Sequence, residues 1–121
     1  MTEIDWDVVE ELEELSRPGE SFVNTQLERF NKAWELTMPQ LKQAVASSDA
    51  EMIFQLGHKL KSSCGVLGAI SGERLCKDIE MAGRSNSLEN ITQDFDKLCR
   101  EVTAIQESLS QFVRERASQA G

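Results

Sequence analysis

The chain has 121 residues, enough for one domain with one core, and 40% of them are hydrophobic. Its formal net charge of −8 argues against nucleic acid as a partner, because that binding depends on Lys and Arg neutralising phosphates. Turn-forming residues are scarce, with seven Gly and two Pro, which favours a helical fold. We therefore expect a single domain over residues 1–121.

The N-terminus and the cysteines bear on location. The acidic start lacks the basic and apolar regions of a signal peptide, and no apolar run is long enough to span a membrane. Cys64, Cys76 and Cys99 are widely spaced, and one histidine cannot complete a zinc site with them. These features predict a cytoplasmic protein without membrane contact or bound metal, whose thiols are reduced and buried.

Two helical segments are predicted in the first half of the chain. Apolar residues recur at helical spacing over residues 4–15, ending at Leu15, before Pro18 and Gly19 break the chain. A second stripe runs over residues 23–45. Pro39 interrupts this stripe, so we expect a kink or a brief break there.

Three more helices are predicted after residue 47. Ser48 or Asp49 is a suitable N-cap for the third, which ends near Leu67 because Gly68 tolerates the left-handed cap conformation. The fourth covers residues 71–84. The fifth carries a heptad seam, which consists of Ile91, Phe95, Leu98, Val102, Ile105, Leu109 and Phe112.

Short connections between amphipathic helices predict antiparallel neighbours. The expected fold is all-α: an antiparallel up-and-down four-helix bundle with an additional short N-terminal helix laid across it. The heptad seam is also compatible with a dimeric coiled coil. We favour the monomeric bundle, because the other amphipathic helices need a surface to cover as well.

The only histidine, His58, is predicted to face away from the core. At 100° per residue, it lies about 140° from Ile53 on the helical wheel. The apolar stripe of the third helix consists of Ile53 and of four residues within about 60° of it, Leu56, Leu60, Cys64 and Leu67. The face of His58 also carries Ser62 and Gly65, both small. Because Gly inside a helix costs about 1 kcal/mol relative to Ala, an exposed Gly65 indicates that something approaches the backbone closely.

Other residues near His58 complete the candidate site. Lys61 lies one turn further on and is expected to face solvent, where its ammonium can reach an anion held on the imidazole. Gln55 lies behind the histidine on the same side. Phe54 lies at the border of the polar face, either as edge core or as an apolar docking contact.

An exposed imidazole on a convex helix suits few kinds of chemistry. General acid–base catalysis needs a pocket, and a metal site needs more ligands. A nucleophile that serves a partner's active site needs only exposure, a free nitrogen and room. Attack on phosphorus gives a phosphoramidate, whose charge Lys61 can partly neutralise.

The residues around His58 resemble the histidine phosphotransfer (HPt) domains of multistep two-component phosphorelays. The family's pattern is a histidine, any residue, an apolar residue, a lysine and then small residues, ending in a Gly-Ala pair. This chain reads His58-Lys-Leu-Lys61-Ser62-Ser-Cys and ends the stretch with Gly68 and Ala69. The following "ERLCKDIEMAGRSN" resembles the family's next helix. Ser62 departs from the pattern, in which Gly is more usual.

The resemblance implies a function and its partners. His58 would accept a phosphoryl group from an aspartyl phosphate on one receiver domain and pass it to the aspartate of another. The expected partners are receiver domains of response regulators or of a hybrid histidine kinase. The family is not enzymatic by itself and carries no cofactor, since the receiver brings the magnesium. Lys61 would pair with phosphoryl oxygens, and Glu80 lies about where some members hold the other ring nitrogen.

Two alternatives come from other functional classes. The chain is also compatible with a helical module that binds a partner protein without carrying phosphate. A helical metal or haem carrier is disfavoured, because the chain has one histidine and no ligand pair.

Overall fold

Five helices account for most of residues 2–120, the part of the chain that this computed structural model describes. They are α1 (Trp6–Glu13), α2 (Phe22–Ala46), α3 (Ala50–Val66), α4 (Ile70–Arg84) and α5 (Ile91–Ala120). Over the described residues no β-strand forms, and the one strand-like feature is an isolated bridge between Ile4 and Ala69. The predicted all-α class is confirmed.

Helices α2 to α5 form the four-helix bundle. Each packs against its neighbours along the chain, and α2 also packs against α5, which closes the ring. The fifth helix contributes its whole predicted heptad seam to the core, with every member at most 8% exposed. The bundle therefore covers this seam with helices of the same chain, so the fold requires no coiled-coil partner.

The short helix α1 differs most from its prediction. It begins after Asp5, whose side chain caps the amides of Asp7 and Val8, and it ends before Leu15, which is exposed. Val9 is its buried residue. Treating Leu15 as part of the apolar stripe was therefore wrong, because a helix of two turns leaves the end of such a stripe outside the packed surface.

Helix α2 continues through Pro39 without the break that the sequence suggested as one possibility. Proline leaves the carbonyl of Glu35 without its helical partner. Both Glu35 and Pro39 are exposed, so water can satisfy that carbonyl and the helix is retained.

The ends of α3 follow the predicted capping. The carboxylate of Asp49 accepts a hydrogen bond from the amide of Met52 at 3.1 Å. Gly68 adopts a φ of +67°, and a Cβ there would lie 3.0 Å from the carbonyl oxygen of Asp5. Glycine is thus required both by the left-handed turn and by the approach of the N-terminal segment.

The three cysteines are free thiols, as predicted, but they are not all buried. Cys64 and Cys76 lie in the core between α3 and α4, whereas Cys99 is half-buried. The hydrogen bond that the Cys76 thiol donates to Cys64, together with burial, raises the pKa of Cys76, so this thiol stays protonated near neutral pH. Burial likewise raises the pKa of Cys99.

Candidate functional site

The imidazole of His58 projects from the outer face of α3. Its side chain is 62% exposed, whereas Ile53 and Leu60 on the opposite face are buried. The ring lies against that of Phe54, with centroids 6.4 Å apart and planes inclined by 26°. The helical periodicity therefore predicted the direction of this residue correctly.

Glu80 of α4 holds one nitrogen of this ring. Its Oε2 forms a hydrogen bond with Nδ1 of His58, and its side chain is only 8% exposed. A carboxylate can only accept, so in the neutral ring Nδ1 carries the proton and Nε2 carries the lone pair. The contact that the sequence left open is therefore present.

Lys61 shares the same carboxylate. Its Nζ donates to Oε1 of Glu80 at 2.8 Å, and its side chain is 27% exposed. The sequence placed Lys61 in solvent, which is wrong, because α4 packs close enough for Glu80 to attract it. Lys61 is nevertheless one turn from His58, and both side chains bind the carboxylate of Glu80.

The environment of Glu80 favours its charged form. The hydrogen bond from Lys61 is the main cause that lowers the pKa of Glu80, and the bond with His58 acts in the same direction. Burial opposes both effects without overcoming them. The site thus combines a buried carboxylate, an ammonium and an exposed imidazole.

The other predicted contact residues lie on α3 around His58. Gln55 and Ser62 are exposed, and Ser62 Oγ donates to the carbonyl oxygen of His58 at 3.4 Å. Phe54 and Gly65 are half-buried. A Cβ at Gly65 would lie 3.5 Å from the nearest atom of Glu73, which is an ordinary contact. The surface beside His58 therefore carries no bulky side chain at Ser62 and Gly65.

Sequence reasoning missed the part played by Gly57. This residue is buried at the contact with α4, where a Cβ would lie 2.8 Å from the backbone nitrogen of Glu80. Gly83 makes a similar contact, because its Cβ would lie 2.5 Å from the nitrogen of Phe54. The sequence feature that could have indicated this contact is a glycine, Gly57, on the inward side of α3 and directly before His58.

Metal-holding clusters and membrane-spanning helices are both absent from the described residues. Across residues 2–120, no three His, Cys, Asp or Glu side chains converge in a way that would hold a metal ion. None of the helices in this range combines the length and apolar character that a membrane span requires.

The fold and the site together define a helical bundle with one exposed imidazole, whose Nδ1 is bound to a buried carboxylate. A sequence model of the Hpt domain matches residues 8–112, most of the chain. The chain belongs to the Hpt family. It therefore has a histidine phosphotransfer role in phosphorelays, which are built from Hpt domains together with receiver domains or histidine kinases.

A solved structure shares the fold over nearly its full length. The crystal structure of histidine-containing phosphotransfer protein B (HptB) from Pseudomonas aeruginosa PAO1 superimposes with a TM-score of 0.82 and 20% sequence identity. The match covers 93% of this chain and 95% of that one. A comparison with curated proteins found no match.

Proposed function

We propose that Nε2 of His58 is the phosphoacceptor of this Hpt domain. The observation that carries the proposal is the exposed ring whose other nitrogen is bound to the buried carboxylate of Glu80. That bond leaves the lone pair on the nitrogen that solvent and a partner can reach. A nucleophile needs this lone pair, and the convex surface around it admits another protein.

The proposed transfer exchanges one bond to phosphorus for another. Nε2 of His58 attacks the phosphorus of an aspartyl phosphate, the P–N bond forms, and the P–O bond to the aspartyl carboxylate breaks. The imidazole ring gains positive charge as the P–N bond forms. The carboxylate of Glu80 stabilises this charge through the Nδ1 proton, which remains on the ring.

Lys61 is proposed to stabilise the phosphoryl group. Its ammonium is bound to Glu80 at 2.8 Å in the unphosphorylated protein and is still partly exposed. A phosphoryl group on His58 places new anionic oxygens one turn away, within reach of a flexible lysine side chain. Transfer to a second receiver reverses the bond changes and returns the ring to its neutral form.

The partners that fit this chemistry are receiver domains, either of response regulators or of a hybrid histidine kinase. We propose that they dock over Phe54, Gln55, Ser62 and Gly65, which surround His58 on α3. The chain acts as a monomeric cytoplasmic carrier rather than as an enzyme, and it binds no nucleic acid. The magnesium needed for transfer belongs to the receiver, and this chain binds no cofactor.

The test is transfer of labelled phosphate from a phosphorylated receiver. We expect a label on the parent protein that is labile in acid and stable in alkali, as a phosphoramidate is. His58→Gln should accept no label, while its circular dichroism stays that of the folded parent. Lys59→Ala, one residue away and exposed, serves as the matched control and should be labelled like the parent.

Labelling of His58→Gln at the parent's rate would refute the assignment of His58. Receiver binding without any labelling of the parent would instead support the second class of function, a helical interaction module.

A further inference from the structure

Helices α3 and α4 come into backbone contact beside the proposed phosphoacceptor. A Cβ on Gly57 would lie 2.8 Å from the backbone nitrogen of Glu80, 3.0 Å from its Cα and 3.3 Å from the carbonyl oxygen of Cys76. The nearest atoms are all backbone, so a side chain at residue 57 cannot be accommodated by rotating a neighbour. Helix α4 would have to move away from α3.

The residue contacted by Gly57 is the one that carries the carboxylate of the site. Glu80 reaches back to α3 and binds Nδ1 of His58 with one oxygen and Nζ of Lys61 with the other. Both bonds depend on the separation of the two helices. A glycine that sets this separation therefore also sets the position of the Glu80 carboxylate relative to the imidazole.

We propose that Gly57 is a positioning residue for phosphotransfer: by admitting the backbone of Glu80, it fixes the His58 ring with Nδ1 protonated and Nε2 free. The inference rests on the proposed function of His58. It adds a specific requirement, that the residue before the phosphoacceptor has no side chain. Gly57 itself touches neither the phosphoryl group nor the partner.

The test compares Gly57→Ala with Gly72→Ala. Both changes replace a buried helical glycine by the better helix former, and both give a Cβ with a contact at 2.8 Å. At Gly72 that contact is the end of the Ile105 side chain, with the Cys64 sulfur next at 3.0 Å, so neither is part of Glu80. Only Gly57→Ala displaces the carboxylate.

Two measurements report on each variant. Nitrogen-15 NMR of the imidazole in the unphosphorylated protein shows which ring nitrogen carries the proton. The rate of phosphate transfer from a phosphorylated receiver shows the functional effect. For Gly57→Ala we expect a folded protein whose ring loses its single tautomer and whose transfer is about tenfold slower, as expected for a displacement below 1 Å. Gly72→Ala should retain the parent's tautomer and rate.

The outcomes separate this inference from the proposed function. A Gly57→Ala protein with the parent's ring tautomer would overturn the positioning role. So would one that fails to fold, since the glycine would then serve the packing as a whole. If His58→Gln accepts phosphate like the parent, the proposed function fails, while the NMR comparison still reports whether Gly57 sets the ring.

Discussion

The candidate site is centred on the carboxylate of Glu80. This carboxylate is nearly inaccessible to solvent, yet it has a donor on each oxygen, from His58 and from Lys61. Buried carboxylates are tolerated when they are paired in this way. Its position on the buried side of the imidazole suits a group that orients the ring and does not react.

Replacing Lys61 by Ala is expected to slow transfer from a phosphorylated receiver by about 10- to 100-fold, because the phosphoryl charge loses its nearest ammonium. The helical signal in circular dichroism should be retained, since the lysine contributes little to the core. Stopped-flow or quenched-flow labelling measures the rate. Lys59→Ala is the matched control and should transfer normally, and an unchanged rate in Lys61→Ala would contradict the role given to this lysine.

At this site, the direction of one side chain could be predicted from the sequence and the surroundings of others could not. The direction of His58 followed from the rotation of α3 alone. The exposure of Lys61 did not, because it depends on Glu80, which lies 19 residues further along the chain. The role of Gly57 was hidden for the same reason. Helical periodicity indicates which residues face inward, but it does not indicate how closely the next helix approaches.

The proposed site is built from two helices, α3 and α4. Helix α3 carries the ring of His58 and the small residues Ser62 and Gly65 beside it, and α4 carries the carboxylate of Glu80, which binds the ring. Gly57 and Gly83 allow the backbones of α3 and α4 to approach closely at two points, one beside Glu80 and the other beside Phe54. Side chains at these points would separate the helices, so the geometry of the site depends on residues that have no functional group.

A large side chain at Gly65 is expected to weaken receiver docking more than it weakens the fold. A Cβ there meets Glu73 at an ordinary 3.5 Å, and leaving glycine favours the helix by about 0.5–1 kcal/mol. Gly65→Gln should therefore unfold in urea at or above the parent's midpoint, while its receiver affinity falls about tenfold or more. Titration with a receiver measures the affinity.

Thr103→Gln, at an exposed position on α5, is the control for that experiment. It introduces the same side chain away from α3 and should leave the affinity unchanged. Equal receiver affinity for Gly65→Gln and the parent would contradict the placement of the docking surface.

Prediction was most successful for the long helices. The heptad seam of α5 and the apolar stripe of α3 repeat often enough that their phase is well defined, and the core contains both. The short α1 offers only two turns, so its phase was ambiguous and Leu15 was misplaced. At Pro39 the local preference for a break lost to the packing of α2 on both sides of the proline.

At the scale of the whole molecule, charge is unevenly distributed along the chain. The chain carries a formal charge of −8, yet residues 57–84 contain five Lys or Arg and three Asp or Glu. The site therefore lies in a stretch of the sequence that is less acidic than the chain as a whole. The buried Glu80 within it links the stability of the fold to pH.

Glu80→Gln is expected to lower the free energy of unfolding by about 2 kcal/mol at neutral pH, through the loss of charged hydrogen bonds in a buried setting. The bonds from Lys61 and His58 lower the pKa of Glu80 in the folded state. Because of this lowered pKa, Glu80 stabilises the fold at pH values above its pKa in the unfolded chain, which is about 4.3. This contribution is lost as the pH falls through the pKa of Glu80 in the folded protein. The difference between parent and variant should therefore shrink on acidification.

Urea unfolding of both proteins at several pH values between about 5.5 and 3 measures this difference. Glu3→Gln is the control. It removes an exposed pair with Arg74 of 3.3 Å, which should contribute at most about 1 kcal/mol. A difference between parent and Glu80→Gln that stays constant or widens toward low pH would contradict the stabilising role of the carboxylate.

The hydrogen bond between α4 and the ring on α3 also bears on how quickly a partner can leave. Immobilising a freely rotating side chain at each encounter costs about 1 kcal/mol. Here the hydrogen bond to Glu80 already orients the ring in the free protein, so a receiver that binds at the proposed site does not have to supply this energy. The proposed transfer then needs less binding energy from each receiver, and a weaker complex dissociates faster.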